Sequence, residues 1–189
     1  MFAWSRSPRI RRSAWLIRQG GVVAYPTEAV WGLGCDPDNR AAVARILALK
    51  GRSVDKGLIL IAADIAAVEP YLAGLSSSQR EMLAATWPGP VTWLVPANGA
   101  VPDWITGGRD SLALRVTAHP VAAGLCRAFG GALVSTSANP QGLPAATSLT
   151  KVKAYFGKDV DAYAPGRVGG AMRPSEIRDL RSGGIVRAG

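Results

Sequence analysis

Lys50-Gly51-Arg52, with Lys56 four residues further on, puts three cations into one short segment. A triphosphate needs several positive charges held around it. An arginine fork matches phosphate oxygens in bidentate fashion, and a lysine supplies a point charge. The same residues would also suit a solvated helix end, where cations complement the helix dipole. A second cluster is Ser135-Thr136-Ser137-Ala138-Asn139, three hydroxyls and a carboxamide directly after the apolar run Ala132 to Val134. In α/β sheets ligands bind beyond the carboxyl ends of strands, so these groups could donate to phosphate or carboxylate oxygens. A polar turn leading to Pro140 is the plainer alternative.

Two further segments carry polar groups in unusual company. Tyr25-Pro26-Thr27-Glu28-Ala29-Val30-Trp31-Gly32-Leu33-Gly34 offers polar ends at Thr27 and Glu28, with glycines that permit close backbone approach. An ordinary structural loop could have this composition too. Ser111 and Arg115 fall on one face of the run Leu112 to Val116, because alternate residues of a strand share a face. An arginine on so apolar a strand needs an anion to offset its desolvation, from a ligand or from an internal Asp or Glu.

Regular elements must hold these segments in place. Helical spacing of apolar residues predicts helices over 8–19, 39–50, 120–129 and 149–156. Ser78 and Glu81 have capping-box spacing for another, running to about Ala85. Apolar runs predict strands over 22–25, 58–62, 91–95, 112–116 and 132–134, with short closing strands at 160–163 and 185–187. Residues 26–36 read as a functional loop. Strands and helices alternate without a strict βαβ repeat. The expected fold is therefore one α/β domain over 1–189, a mixed, twisted sheet with flanking helices rather than a purely parallel one.

The 189 residues are 48% hydrophobic, show no internal repeat and suit a single core. A formal charge of +9 favours polyanionic partners, nucleotides or nucleic acid, unless it marks only a well-solvated basic surface. Cys35 and Cys126 have no second Cys or His at metal-ligand spacing and read as reduced thiols. His119 precedes Pro120 at a helix start and reads as structural. No signal-like segment occurs, and the purest apolar stretch, Leu58 to Ala63, is far too short to span a bilayer. A soluble cytoplasmic protein is expected. The common phosphate loops, G-x-x-x-x-G-K-[ST] and G-x-G-x-x-G, are absent, as are hydrolase, zinc-protease and kinase signatures.

The polar segments occur in a set order. The Tyr-Pro-Thr-Glu segment comes first, then Lys50-x-Arg52 and Trp87-Pro88-Gly89-Pro90-Val91-Thr92. The strand with Arg115 and Ser137-x-Asn139 follow, and Pro174-Ser175-Glu176-Ile177 precedes Ile185-Val186-Arg187. From about Trp15 onward, this set resembles the YrdC-like family of threonylcarbamoyl-AMP synthases in its short bacterial form. The resemblance implies a basic cavity and formation of threonylcarbamoyl-AMP and pyrophosphate from L-threonine, bicarbonate and ATP, with Mg²⁺ on the phosphates. It implies that Lys50, Arg52, Lys56, Ser111, Ser137, Asn139 and Arg187 surround the nucleotide, with Lys50 and Arg52 catalytic. Thr27, Arg115, Ser135 and Ser175 would lie around the threonine, and no dedicated metal site is expected.

The chain departs from the family at Ala29, where many members have a second Thr, and at Gly57 and Ile61, where they have Pro and His. The resemblance also implies downstream proteins that complete threonylcarbamoyladenosine on tRNA, beside the anticodon. One alternative is a tRNA- or double-stranded-RNA-binding module without catalysis. It would explain the arginines between Arg6 and Arg18 but not the ordered serines. A third reading is carbamoyl-adenylate chemistry on another amine or on carbamoyl phosphate.

Overall fold

The structure is a computed structural model that describes residues 4–189. After a 3-10 turn at Trp4–Arg6, α1 (Pro8–Arg18) begins with proline at its first position and buries Ile10, Ala14 and Ile17 along one stripe. β1 (Val23–Pro26) and β2 (Trp31–Gly34) form an antiparallel hairpin. α2 (Arg40–Lys50) is capped by Asn39, whose side chain accepts from Ala42 N at 3.0 Å, and it ends at Gly51 with φ 62°. β3 (Ile59–Ala62) and α3 (Ser77–Ala84) come next, followed by β4 (Val91–Pro96), the single turn α4 (Asp103–Thr106), β5 (Ser111–Val116) and α5 (Pro120–Phe129). β6 (Leu133–Ser137), α6 (Leu149–Phe156), β7 (Ala162–Tyr163), β8 (Glu176–Asp179) and β9 (Ile185–Arg187) complete the order.

The strands form one sheet in the order β7-β1-β2-β6-β3-β5-β4-β8-β9. β1–β7, β3–β5 and β4–β8 pair in parallel and the remaining neighbours antiparallel, so the sheet is mixed, as expected. Alternate strand residues feed two cores. Ala24, Leu33, Leu60, Leu114 and Val134 join Val43 and Ile46 of α2, Leu83 of α3 and Phe156 of α6. Val23, Tyr25, Ile61 and Leu133 join Ile10, Ala14 and Ile17 of α1 and Val121 and Leu125 of α5. Arg18 ties α1 to the end of α5, donating to the carbonyls of Ala128 and Phe129 at 2.9 and 3.1 Å.

Several local expectations shift. The segment 26–36 contains β2, because Trp31 and Leu33 bury on one side while two glycines occupy the other. At Gly34 a Cβ would lie 2.5 Å from Val134 O and 2.7 Å from the Tyr25 ring, so only glycine fits between those neighbours. The capping box of α3 is Ser76 with Gln79, not Ser78 with Glu81. β6 continues through Ser137, since Thr136 and Ser137 pair with Leu33 and Gly32 of β2. β8 was not foreseen. Its residues are mixed in polarity, and it exists as a strand through pairing with β4. Both cysteines are free and buried, in different cores. His119 caps α5 with its ring, accepting from Ala122 N at 3.4 Å, and its Nε2 lies 3.0 Å from Arg167 O, which supports the structural reading.

Candidate active site

β6 changes character along its length. Leu133 packs under α1 and α5, whereas Ser135 and Ser137, next along the same face, line a cleft, Ser135 being buried beside the Tyr25 hydroxyl. Neighbouring Ile59 of β3 and Arg115 of β5 lie beside them, and together they floor this cleft of about 220 Å³. The β1–β2 turn forms one wall with Thr27, Glu28, Ala29 and Val30. Arg52, Asn139, Arg173, Ser175 and Arg187 come from surrounding loops and β9. Four guanidinium groups, those of Arg52, Arg115, Arg173 and Arg187, thus face one carboxylate, that of Glu28. This excess of positive charge over a partly enclosed polar floor suits a multiply charged anion.

Of the residues singled out from the sequence, Thr27, Arg52, Arg115, Ser135, Ser137, Asn139, Ser175 and Arg187 line the cleft. Lys50, Lys56 and Ser111 are not among its lining residues. Ser111 shares the face of Arg115 but begins β5, paired with Pro96 four residues away from the cleft end. Lys56 is exposed and donates to Gln141 Oε1 at 3.2 Å. Lys50 is 4% exposed, and its ammonium donates to the carbonyls of Ser137 and of Asn139, the latter at 2.8 Å. Burial, with the Arg52 charge nearby, pushes its pKa down to about 8. Lys50 therefore fastens the end of β6 at Ser137 and the loop that carries Asn139, and the backbone repeats the tie through Gln141 N on Lys50 O at 2.7 Å.

The hydrogen bonds refine what each group can offer. Asn139 spends its amide donors on Pro140 O and Leu143 O, at 3.1 and 2.7 Å, and its Oδ1 is buried without a donor. It can accept from a hydroxyl or amino group, not donate to phosphate as its type alone had suggested. Thr27 donates to Val30 O at 2.7 Å and keeps acceptor capacity only. Ser175 pairs with Thr92 at 3.0 Å, and its carbonyl accepts from Arg187 at 2.8 Å. Arg52 donates to Gly57 O at 2.9 Å and leaves Nε buried and unmatched. Burial, Arg109 and Arg187 all disfavour its charge, a tension that a bound anion would relieve.

Arg115 has found the internal acid considered for it. Its Nη2 stands 3.4 Å from Glu28 Oε2, while Glu28 Oε1 accepts from Thr117 Oγ1 at 2.7 Å and Ala118 N at 3.0 Å. Burial raises the Glu28 carboxyl, but Arg115 and these donors outweigh it and hold the group below the ordinary carboxylate value. Glu28 and Pro90 stand in segments that the sequence marks, the first as a polar end of the Tyr-Pro-Thr-Glu segment and the second in the Trp-Pro-Gly-Pro motif, but neither was assigned a site role, and Arg173 carried no signal.

The family model Sua5_yciO_yrdC, described as telomere recombination, matches residues 15–189. The chain belongs to the Sua5/YciO/YrdC family. Within it, the chain is 59% identical to a threonylcarbamoyl-AMP synthase of Cellvibrio japonicus, across 99% of both chains. It is 60% identical to another of Halorhodospira halophila, across 97% of this chain and 96% of the relative. Among solved structures, P. abyssi Sua5 complexed with L-threonine superposes with a TM-score of 0.86 at 34% identity. The match covers 91% of this chain but only 51% of that one. E. coli YciO shares the fold, with a TM-score of 0.84 at 24% identity over 95% of this chain and 88% of its own.

Proposed function

We propose that this chain is an L-threonylcarbamoyladenylate synthase. The observation that carries the reading is the convergence of Arg52, Ser137, Asn139 and Arg187 with Thr27, Arg115, Ser135 and Ser175 on one cleft. Near-full-length relatives bear the name of that activity. The threonine nitrogen, once it has released a proton to solvent, condenses with bicarbonate to a carbamate with loss of water; a carbamate oxygen then attacks the α-phosphorus of ATP, and pyrophosphate leaves. The protein supplies no covalent nucleophile. It gathers mutually repelling anions and stabilises the leaving charge with fixed guanidinium groups, Arg52 and Arg187 on the phosphates and Arg115 on the threonine carboxylate. Asn139 Oδ1 can take a hydroxyl or amino donor of the nucleoside.

Glu28 is the sole acid among the described lining residues, and its Oε1 accepts from Thr117 and Ala118, so the magnesium is assigned to the substrate phosphates. Mg²⁺ enters as MgATP, carried by the phosphates of the substrate. The decisive experiment incubates the protein with MgATP, bicarbonate and each amino acid, measures pyrophosphate and identifies the adenylate by mass. Threonine is expected to outpace valine by about tenfold or more, the worth of one hydrogen bond to a hydroxyl in a partly buried polar site. Equal rates would overturn the threonine assignment.

The product suits transfer to the tRNA adenosine beside the anticodon by downstream proteins in the cytoplasm. No helix of the described residues is long and apolar enough to cross a membrane. Direct tRNA contact has a specific support of its own. Arg9, Arg11 and Arg12 are exposed on α1 together with Trp15, which is 54% exposed. Phosphate contacts by such a face predict tRNA affinity that falls steeply as salt rises, and a flat salt titration would exclude them.

A further inference from the structure

The Glu28–Arg115 pair is incompletely matched, and the mismatch has a chemical complement. Glu28 lies in the β1–β2 turn with a side chain 14% exposed. Its main chain is tied down by Ala171 N on Glu28 O at 2.9 Å and, one residue before, by Gly169 N on Thr27 O at 3.0 Å. Thr117 and Ala118 hold Oε1, so the orientation of the carboxylate is set. Oε2 is buried and receives no hydrogen bond, although it is within ion-pair distance of Arg115. Arg115 in turn has a buried Nε with no acceptor. An unmatched acceptor and an unmatched donor of opposite charge thus belong to two paired residues that both line the cleft.

We infer that Glu28 is the binding residue for the nitrogen of the amino-acid substrate, so that Glu28 and Arg115 together form a subsite for a zwitterion. The inference rests on the amino-acid-activating function proposed above. An α-amino acid carries an ammonium and a carboxylate on one carbon, and each meets its opposite here. An acid without the amine leaves Oε2 as unmatched as it is in the free protein and gains nothing from it. Because Glu28 is held in its ionised form, it grips an N–H rather than keeping a proton taken from the nitrogen. After carbamate formation the nitrogen still bears one N–H, so the same contact persists through the reaction.

The test is calorimetric binding of L-threonine and of 3-hydroxybutyrate, the same acid without its amine, to the wild-type protein and to Glu28→Gln. Wild type is expected to bind 3-hydroxybutyrate about tenfold or more weakly than threonine, the scale of one charge-assisted hydrogen bond. In Glu28→Gln the preference for threonine over 3-hydroxybutyrate should disappear, while 3-hydroxybutyrate, relieved of a neighbouring negative charge, binds no more weakly than to wild type. Equal wild-type affinity for the two ligands would overturn the inference, and so would a variant that loses both equally, since Glu28 would then act only by holding Arg115. The wild-type comparison decides the matter even where the variant does not fold. If another amino acid binds and threonine does not, the threonine assignment fails while the same comparison, run with that amino acid and its amine-free analogue, still judges Glu28. If no amino acid binds, both readings fall.

Discussion

Arg52→Ala is expected to remain folded and to lose adenylate formation by about 10²-fold or more, the loss typical of removing one preorganised electrostatic donor. Arg52 lines the cleft beyond the end of α2, where Arg109 and Arg187 are close enough to disfavour its charge. Like charges gathered in this way only make sense around an anion. Among the described residues, Arg52 Nη2 donates to Gly57 O at 2.9 Å and, more weakly, to Lys56 O at 3.3 Å. Removing these should cost about 1 kcal/mol of stability, typical of a hydrogen bond to a charged group at a partly exposed position. Arg52→Lys should not restore turnover, because a lysine cannot reproduce bidentate contact with phosphate oxygens. Circular dichroism and pyrophosphate release on the same preparations separate folding from catalysis. A folded Arg52→Ala protein with near-normal turnover would remove Arg52 from the site.

Lys50→Met is the second large effect, and its route is indirect. The ammonium of Lys50 holds the carbonyls of Ser137 and Asn139 from beneath, so its loss frees the end of β6 and the loop after it, which present the two side chains to the cleft. Misplacement of reacting groups by about 1 Å can cost about 10²-fold in rate, and a loss of that order is expected here. Stability should fall by about 1–3 kcal/mol, since two buried carbonyls lose their donor. A double-mutant cycle with Asn139→Ala identifies the route. If Lys50 works through the loop, the two losses are strongly non-additive, whereas an ammonium that touched phosphate directly would give losses that add.

The titration of Lys50 supplies an independent readout. Its folded pKa of about 8 lies below the ordinary lysine value of 10.5, so between these the unfolded chain binds more protons than the folded one. The penalty for burying the ammonium is complete below about pH 8 and fades as pH rises toward 10.5, so this group makes stability rise across that window. The methionine variant should lack that rise in urea titrations. An unchanged slope would mean that Lys50 does not titrate there.

Residue type and local spacing were enough for the elements whose patterns are self-contained. α1, α2, α5 and α6 fall where apolar periodicity, a leading proline or a terminal glycine puts them. Arg52, Arg115, Ser137 and Asn139 line the cleft, as the family resemblance implied, although local spacing alone left each of them a structural alternative. The helices are readable because each depends on neighbours in the chain. The sheet order, with β6 between β2 and β3, depends instead on long-range pairing, and so does β8, which becomes a strand beside β4. The same holds for the direction in which a long side chain points. Lys50 and Arg52 look equivalent in the sequence as a pair of cations at the end of a helix. Only packing sent the first inward onto two carbonyls and the second into the cleft. Glu28 and Arg115, 87 residues apart, became partners for the same reason: desolvation of a buried charge is offset only by a group that the fold brings alongside it.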